Sequence, residues 1–389
     1  MIADYLVIDA DAHVMEPWDM WLDYIDPQFR DRAPRGEPGQ TTGLTVNGKT
    51  MGRAREAISD GYVEWMKQLI DTTHERERAS GWSAQTQLQV MDEEGIDAAV
   101  LYPSRGLYAL AVDDIDGPLA GAIARAYNRW IVDFCSADPR RLTGIGLVSL
   151  HDPDVAVREV TFAAEHQGLR GVMIRPNPIQ GRPMHHPSYE RFWATCAELQ
   201  LPVSIHEGLG VYMAEHGPDR FAEHILWHLI SHPFEQMESL ASIVVGGVLE
   251  RNPTLRIVVL ESGGTWAPFW LGRMDSHCAW LRNVSMARHL SLTPTEYFRR
   301  QCWISAEPDE PTFAATVDYL GADHVMWASD YPHPDAKFPG ALKEIRELDS
   351  ITPQTRRSIL EAAPALLYGL DLDALRAHRA PASTATVTG

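Results

Sequence analysis

Eight short apolar runs, each ending in a polar or charged residue, constrain this chain more than any other feature. They occupy 5–9, 98–102, 143–149, 171–175, 202–206, 256–261, 302–306 and 324–330. Runs of this length bounded by turn signals read as strands buried on both faces, the pattern of parallel sheets whose crossovers are helices. Between them, 118–136, 153–166, 189–199 and 234–250 have helical length and amphipathic spacing. Helix stop signals stand at Gly168, at Asn252-Pro253 and at Gly321. Eight strands alternating with helices predict an α/β fold, a closed (β/α)8 TIM barrel.

One barrel with insertions accounts for 389 residues. About ninety residues separate the first two strands, far more than a crossover helix needs, so 27–90 is expected to be a lid-like insertion. Its 34–52 part reads as irregular and 63–78 as a charged helix. A second lid-like insertion, 207–230, follows the fifth strand and falls over the C-terminal mouth, where barrels keep their catalytic groups. The barrel domain is expected over 1–370. The tail, 371–389, loses aliphatic periodicity from 377 and is expected to be mobile or to pack on a neighbouring subunit.

With 34 basic against 53 acidic residues the formal charge is −19, which opposes tracking of phosphates and argues against nucleic acid as a partner. Cys135, Cys196, Cys278 and Cys302 form no CxxC pair, so neither a thiolate zinc site nor a disulfide framework is expected and a cytoplasmic location fits. No basic leader and no apolar stretch of ~18 residues is present, so neither export nor membrane insertion is expected. Twelve tryptophans and the long insertions point to a homodimer or higher homo-oligomer.

The chemistry gathers at strand ends. Asp9, Asp11 and His13 alternate on the first strand and so point one way. Alone, such an Asp-rich end serves equally well as a turn or helix cap. His206 ends the fifth strand and Asp330 the eighth, and barrel topology delivers all three ends to one face. Asp11, His13, His206 and Asp330 then form an N/O shell suited to a divalent ion, zinc first and manganese second, with one position open to water. Such an ion lowers the pKa of water toward ~7. Asp330 would serve both as ligand and as proton acceptor, while Asp9 would orient His13 from behind.

Four segments, IDADAHVMEP at 8–17, ELQLPVSIHEG at 198–208, GGVLERNPTLRIVVLESGGTWAPFW at 246–270 and ASDYPHPD at 328–335, resemble the amidohydrolase superfamily. The branch is the one similar to aminocarboxymuconate-semialdehyde decarboxylase, and the resemblance spans most of 5–370. It implies a metal-bearing barrel of the metal-dependent hydrolase type. Two departures stand out: Asp11-x-His13 replaces the usual His-x-His, and Ser262 stands where decarboxylases of the branch carry a histidine before the glycine turn.

His232 and Glu261 are the candidates for that missing acid–base group; a contact to the next helix N-terminus is an equal reading of Glu261. Arg175 is placed to grip a substrate carboxylate or to pair with a loop acid, and Arg105 is a weaker candidate of the same kind. His333 and Ser262 are expected to touch substrate, and Glu307 to support the site. Trp266, Trp270, Trp303 and Trp327 lie near the mouth, though most buried tryptophans belong to cores or interfaces. The His185-His186 pair has no distinguishing spacing. The leading expectation is a metal-dependent hydrolase acting through activated water on a small aromatic or carboxylated substrate. The alternative is a nonoxidative decarboxylase of a small aromatic or unsaturated carboxylate, and a catalytically idle barrel is the third reading.

Overall fold

The computed structural model describes residues 5–36, 44–51, 60–166, 168–207, 216–284 and 286–379. Eight parallel strands follow one another round a single sheet: β1 (Ile8–Val14), β2 (Ala98–Pro103), β3 (Leu142–Leu147), β4 (Leu169–Ile174), β5 (Val203–His206), β6 (Ile257–Leu260), β7 (Cys302–Ser305) and β8 (Val325–Met326). Each pairs with the next in sequence, as right-handed crossovers require, with registers such as Val203 opposite Ile257 and His206 opposite Leu260. All residues of these strands are buried except Arg170, which is why they read as continuous apolar runs rather than alternating ones. The expected (β/α)8 TIM barrel is the fold observed.

Closure from β8 back to β1 uses irregular backbone. Ala10 N–H donates to Trp327 O at 3.2 Å, Asp330 N–H to Asp11 O at 3.0 Å and His13 N–H to Tyr331 O at 2.7 Å. Two boundaries therefore differ from expectation. The first strand runs through the acidic motif to Val14, because the barrel interior accepts its polar side chains; the eighth is two residues long, because the chain leaves regular geometry on its way to Asp330.

Helices α1 (Gly117–Cys135), α2 (Pro153–Glu165) and α3 (Glu190–Glu198) lie where the periodicity put them. Helices α1 and α2 approach so closely that a Cβ on Gly121 would lie 2.2 Å from Val155. Helix α4, His224–Val245, begins ten residues earlier than expected and passes through Pro233. A proline forfeits one backbone bond and normally ends such a run; packing of the helix on the barrel overrides that. Helix α5 (Ala267–Arg282) follows β6. In the first insertion, Leu44–Val46 and Lys49–Met51 form a hairpin and Asp60–Thr72 and Glu75–Ala79 are helical; the rest of the irregular stretch, 37–43, lies outside the described residues. So does 208–215 of the second insertion. The expected tail is helical over Leu372–His378, and Leu375 packs with Leu6, Ile8 and Ala98 beneath the barrel; its remainder from 380 lies outside the described residues. Among the described residues no helix is long and apolar enough to cross a membrane.

One buried side chain ties α1 to the sheet. Asn128 accepts from Leu147 N–H at 2.6 Å and donates to Leu147 O at 3.0 Å. Asn128→Ala leaves that strand end without either partner, so we expect a loss of about 2–3 kcal/mol, read as a lower urea midpoint with unchanged slope.

Candidate active site

The site is built from the ends of β1, β5, β6 and β8. His13 and His206 are wholly buried. His13 Nδ1 lies 3.0 Å from Pro103 O and His206 Nδ1 lies 2.6 Å from Glu207 O. A carbonyl only accepts, so each ring carries its proton on Nδ1 and turns the lone pair of Nε2 inward. The two Nε2 atoms face each other at 3.2 Å. Asp11 Oδ1 lies 3.5 Å from His13 Nε2 and 3.4 Å from His206 Nε2, and Asp330 Oδ1 lies 3.3 Å from His13 Nε2. Both carboxylate oxygens are buried; Asp11 Oδ1 accepts no hydrogen bond among the described residues, and Asp330 Oδ1 is met by His333 Nδ1 at 2.8 Å. Asp11, His13 and His206 offer three mutually close donor atoms spaced 3.2–3.5 Å, near what an ion ~2.1 Å from each would require, and Asp330 joins at His13. The residues present therefore fit a divalent cation.

The charges agree. Burial raises the carboxyls of Asp11 and Asp330 and drives the His13 imidazole well below its ordinary value. Burial acts the same way on His206, yet Asp11 and Glu261 carry it up to about 9. A fixed positive charge would relieve the acids without a second proton on either imidazole.

Asp9 differs from expectation. It does not orient His13; Pro103 O does. Asp9 instead accepts from Ser329 N–H at 3.0 Å and from Ser329 Oγ at 2.5 Å, pinning β1 to the segment that carries Asp330.

Glu261 and Asp330 both adopt left-handed backbone, with φ of 49° and 55°. Side chains other than glycine, asparagine and aspartate resist that region, and strained residues of this kind cluster at functional sites. The turn aims Glu261 at three imidazoles: His206 Nδ1 at 3.2 Å, His232 Nε2 at 3.7 Å and His333 Nδ1 at 3.8 Å. The alternative contact to the following helix is not made by Glu261. Glu310 accepts there from Gly264 N–H and Thr265 N–H, each at 2.9 Å. Burial opposes protonation of His232, but Glu261 raises it. His333 stacks on His13 with ring centroids 3.9 Å apart, and its Nδ1 lies 2.8 Å from Asp330.

Helix α4 carries His232 to the mouth because Gln236 holds the helix there. The Gln236 amide donates to Ile205 O at 2.7 Å and Leu260 O at 3.1 Å, the ends of β5 and β6. Sequence patterning gave no sign of this residue, since a buried glutamine on an apolar face is legible only once its carbonyl partners are known.

A cavity of about 450 Å³ opens beside these groups, with Asp11, Asp330, His232, Glu261 and Ser262 among its walls. Trp327 is the one of the four singled-out tryptophans on that wall; the Trp303 indole instead donates to Asp323 O at 2.8 Å. Three further groups on the wall escaped the sequence reading. His228 lies 3.4 Å from Asp335, and Lys337 lies 2.6 Å from Asp309 and 2.7 Å from Glu344. Glu307 lies on the wall 3.6 Å from Lys337.

Arg175 is corrected. Its guanidinium is buried, ion-paired with Asp113, and donates to Leu110 O and Pro178 O at 3.1 Å; it does not line the cavity. The loop acid is the partner, because Asp113 lies within reach before any substrate does. Arg105 stacks over Trp18 at 3.9 Å and is held by Glu16 O. His185 bonds Ser242 Oγ at 2.7 Å on the surface.

The amidohydrolase family profile matches residues 8–370. The chain is 27% identical to a 2-amino-3-carboxymuconate-6-semialdehyde decarboxylase of Dictyostelium discoideum, over 78% of this chain and 82% of that protein. It is 26% identical to a gamma-resorcylate decarboxylase of Rhodococcus jostii, over 73% of this chain and 87% of that one. Among solved structures it resembles a variant of 5-carboxyvanillate decarboxylase from Novosphingobium aromaticivorans with bound manganese and 3-methoxy-4-hydroxy-5-nitrobenzoic acid. That likeness has a TM-score of 0.69 at 20% identity and covers 94% of this chain and 98% of the other; at that identity it speaks for the fold alone.

His206→Ala removes one of the three mutually close donors. We expect it to lower the divalent metal content measured by mass spectrometry by one equivalent per chain, with the far-ultraviolet dichroism of the barrel unchanged. Full metal retention would exclude His206 as a ligand.

Proposed function

We propose, from the premise that the chain belongs to the amidohydrolase family, that it is a divalent-metal-dependent nonoxidative decarboxylase of a small aromatic carboxylate. The observation that carries this reading is a group of buried candidate ligands beside the His232–Glu261 pair on the wall of one cavity. The decarboxylase relatives support it, and they support it better than the hydrolase reading ranked first on sequence.

In this reading Asp11, His13, His206 and Asp330 hold zinc or manganese, both suited to two imidazoles and two carboxylates. The ion supplies positive charge against the substrate's carboxylate and a neighbouring oxygen. Trp327 and Leu229, both on the cavity wall, flank a planar ring. Glu261 keeps a proton on His232 Nε2, facing it at 3.7 Å. That proton passes to the ring carbon bearing the carboxylate. The carbon–carbon bond then breaks, its electron pair restores the ring, and CO2 departs with no oxidant or reductant involved. His333 holds Asp330 in place at 2.8 Å, and Ser262 lies where it would touch the substrate. Self-association belongs to the same proposal, with Phe269, Trp280 and Met286 exposed; a sedimentation coefficient of a dimer or larger would support it.

Turnover of hydroxybenzoates in heavy water is expected to release CO2 and to leave one deuterium at the vacated ring carbon. Oxygen-18 taken up from labelled water without CO2 release would overturn decarboxylation in favour of hydrolysis. His232→Asn is expected to lower kcat by about 10²-fold or more while metal content stays unchanged; unaltered kcat would remove His232 from the scheme.

A further inference from the structure

A second set of donor atoms converges outside the cavity. Glu235 and Glu238 lie three residues apart on α4 and so share a face. His216, within the second insertion, places Nε2 3.0 Å from Glu238 Oε1, and its backbone N–H lies 3.4 Å from Glu235 Oε1. One ligand atom from each of the three lies within 4.8 Å of the others. None of them lines the 450 Å³ cavity.

Glu235 is 1% exposed. A carboxylate taken from water needs a cation or several hydrogen bonds, yet the groups acting on Glu235 are His216, Asn177 and, unfavourably, Glu238. No lysine or arginine pairs with it among the described residues. Asn177, wholly buried after β4, is directed at this carboxylate. Its amide oxygen and nitrogen both lack a hydrogen-bond partner at ordinary distance. A fully buried amide left in that state costs about 1–3 kcal/mol unless something else binds it.

We propose that His216, Glu235 and Glu238 form a second divalent-cation site, with Asn177 Oδ1 as a fourth donor, which fastens this part of the second insertion to α4. The ligand set is one imidazole, two carboxylates and one amide oxygen, suited to manganese or zinc. Donors ~2.1 Å from a common ion lie roughly 3.3 Å apart, so the three atoms within 4.8 Å need only small side-chain movements. Two carboxylates that repel each other across one helical turn become mutually compatible, and the buried amide gains a partner. The helix so anchored is the one that carries His228 and His232 to the cavity. The site is structural and independent of the reaction proposed above.

The test counts metal per chain. Protein stripped with EDTA is titrated with manganese(II) alone, and free ion is followed by electron paramagnetic resonance. Wild type is expected to bind two equivalents. Glu238→Gln, at an exposed position, and His216→Ala are each expected to bind one, as is His206→Ala, which loses the other site. A thermal midpoint in wild type that rises with the second equivalent, and does not in Glu238→Gln, would support the fastening role. Wild type binding a single equivalent that Glu238→Gln retains and His206→Ala loses would overturn this proposal and leave the first site standing. Single binding abolished by Glu238→Gln and retained by His206→Ala would do the reverse.

Discussion

Two imidazole lone pairs held 3.2 Å apart, with two carboxylates pressed against them, are the arrangement on which the rest of this molecule depends. Without an ion between them these groups repel or demand protons, and burial removes the water that would screen them. The barrel tolerates the conflict because each donor is fixed by a separate part of the fold. Pro103 O sets the His13 ring, Glu207 O sets the His206 ring, and Asp330 sits at a left-handed residue tied to Asp11 by a backbone bond. A parallel barrel suits this purpose, since separate strands can deliver rigid side chains to a common face without sharing a loop.

The neighbouring Glu261 performs a different task with the same economy. Its carboxylate is shared among His206, His232 and His333, so one buried negative charge links the candidate cation site to the imidazole on the cavity wall. Gln236 makes that link geometric as well. By capping the carbonyls at the ends of β5 and β6 it sets where α4 lies, and with it His232. The continuation of α4 through Pro233 is consistent with the same anchoring, because Gln236 on one side and His228, 3.4 Å from Asp335, on the other hold the helix across the missing backbone bond.

Much of this was legible in the chain. The eight apolar runs located the strands to within a few residues, and the polar residues ending them named Asp11, His13 and His206, which the structure groups together, and Asp330, which it places beside His13. The failures have a common cause. Arg175 ends its strand in the position expected, but its partner Asp113 comes from a loop sixty-two residues away in the chain. Asp9 points inward as alternation requires, but Ser329 claims it from across the closure. His228 and Lys337 reach the cavity from segments whose path the patterning did not describe.

The sequence by itself determined that the chain is a parallel α/β barrel and which residue types stand at its mouth. Burial on both faces forces a continuous apolar run, and a parallel sheet sends every strand end to one side. Only the tertiary structure decided which of those groups meet, which nitrogen of each imidazole faces inward, and which charges are already taken. Those outcomes rest on distances of 3–4 Å, many between residues far apart in the chain, and hydrogen bonds at that range weaken steeply with shifts that no local pattern encodes.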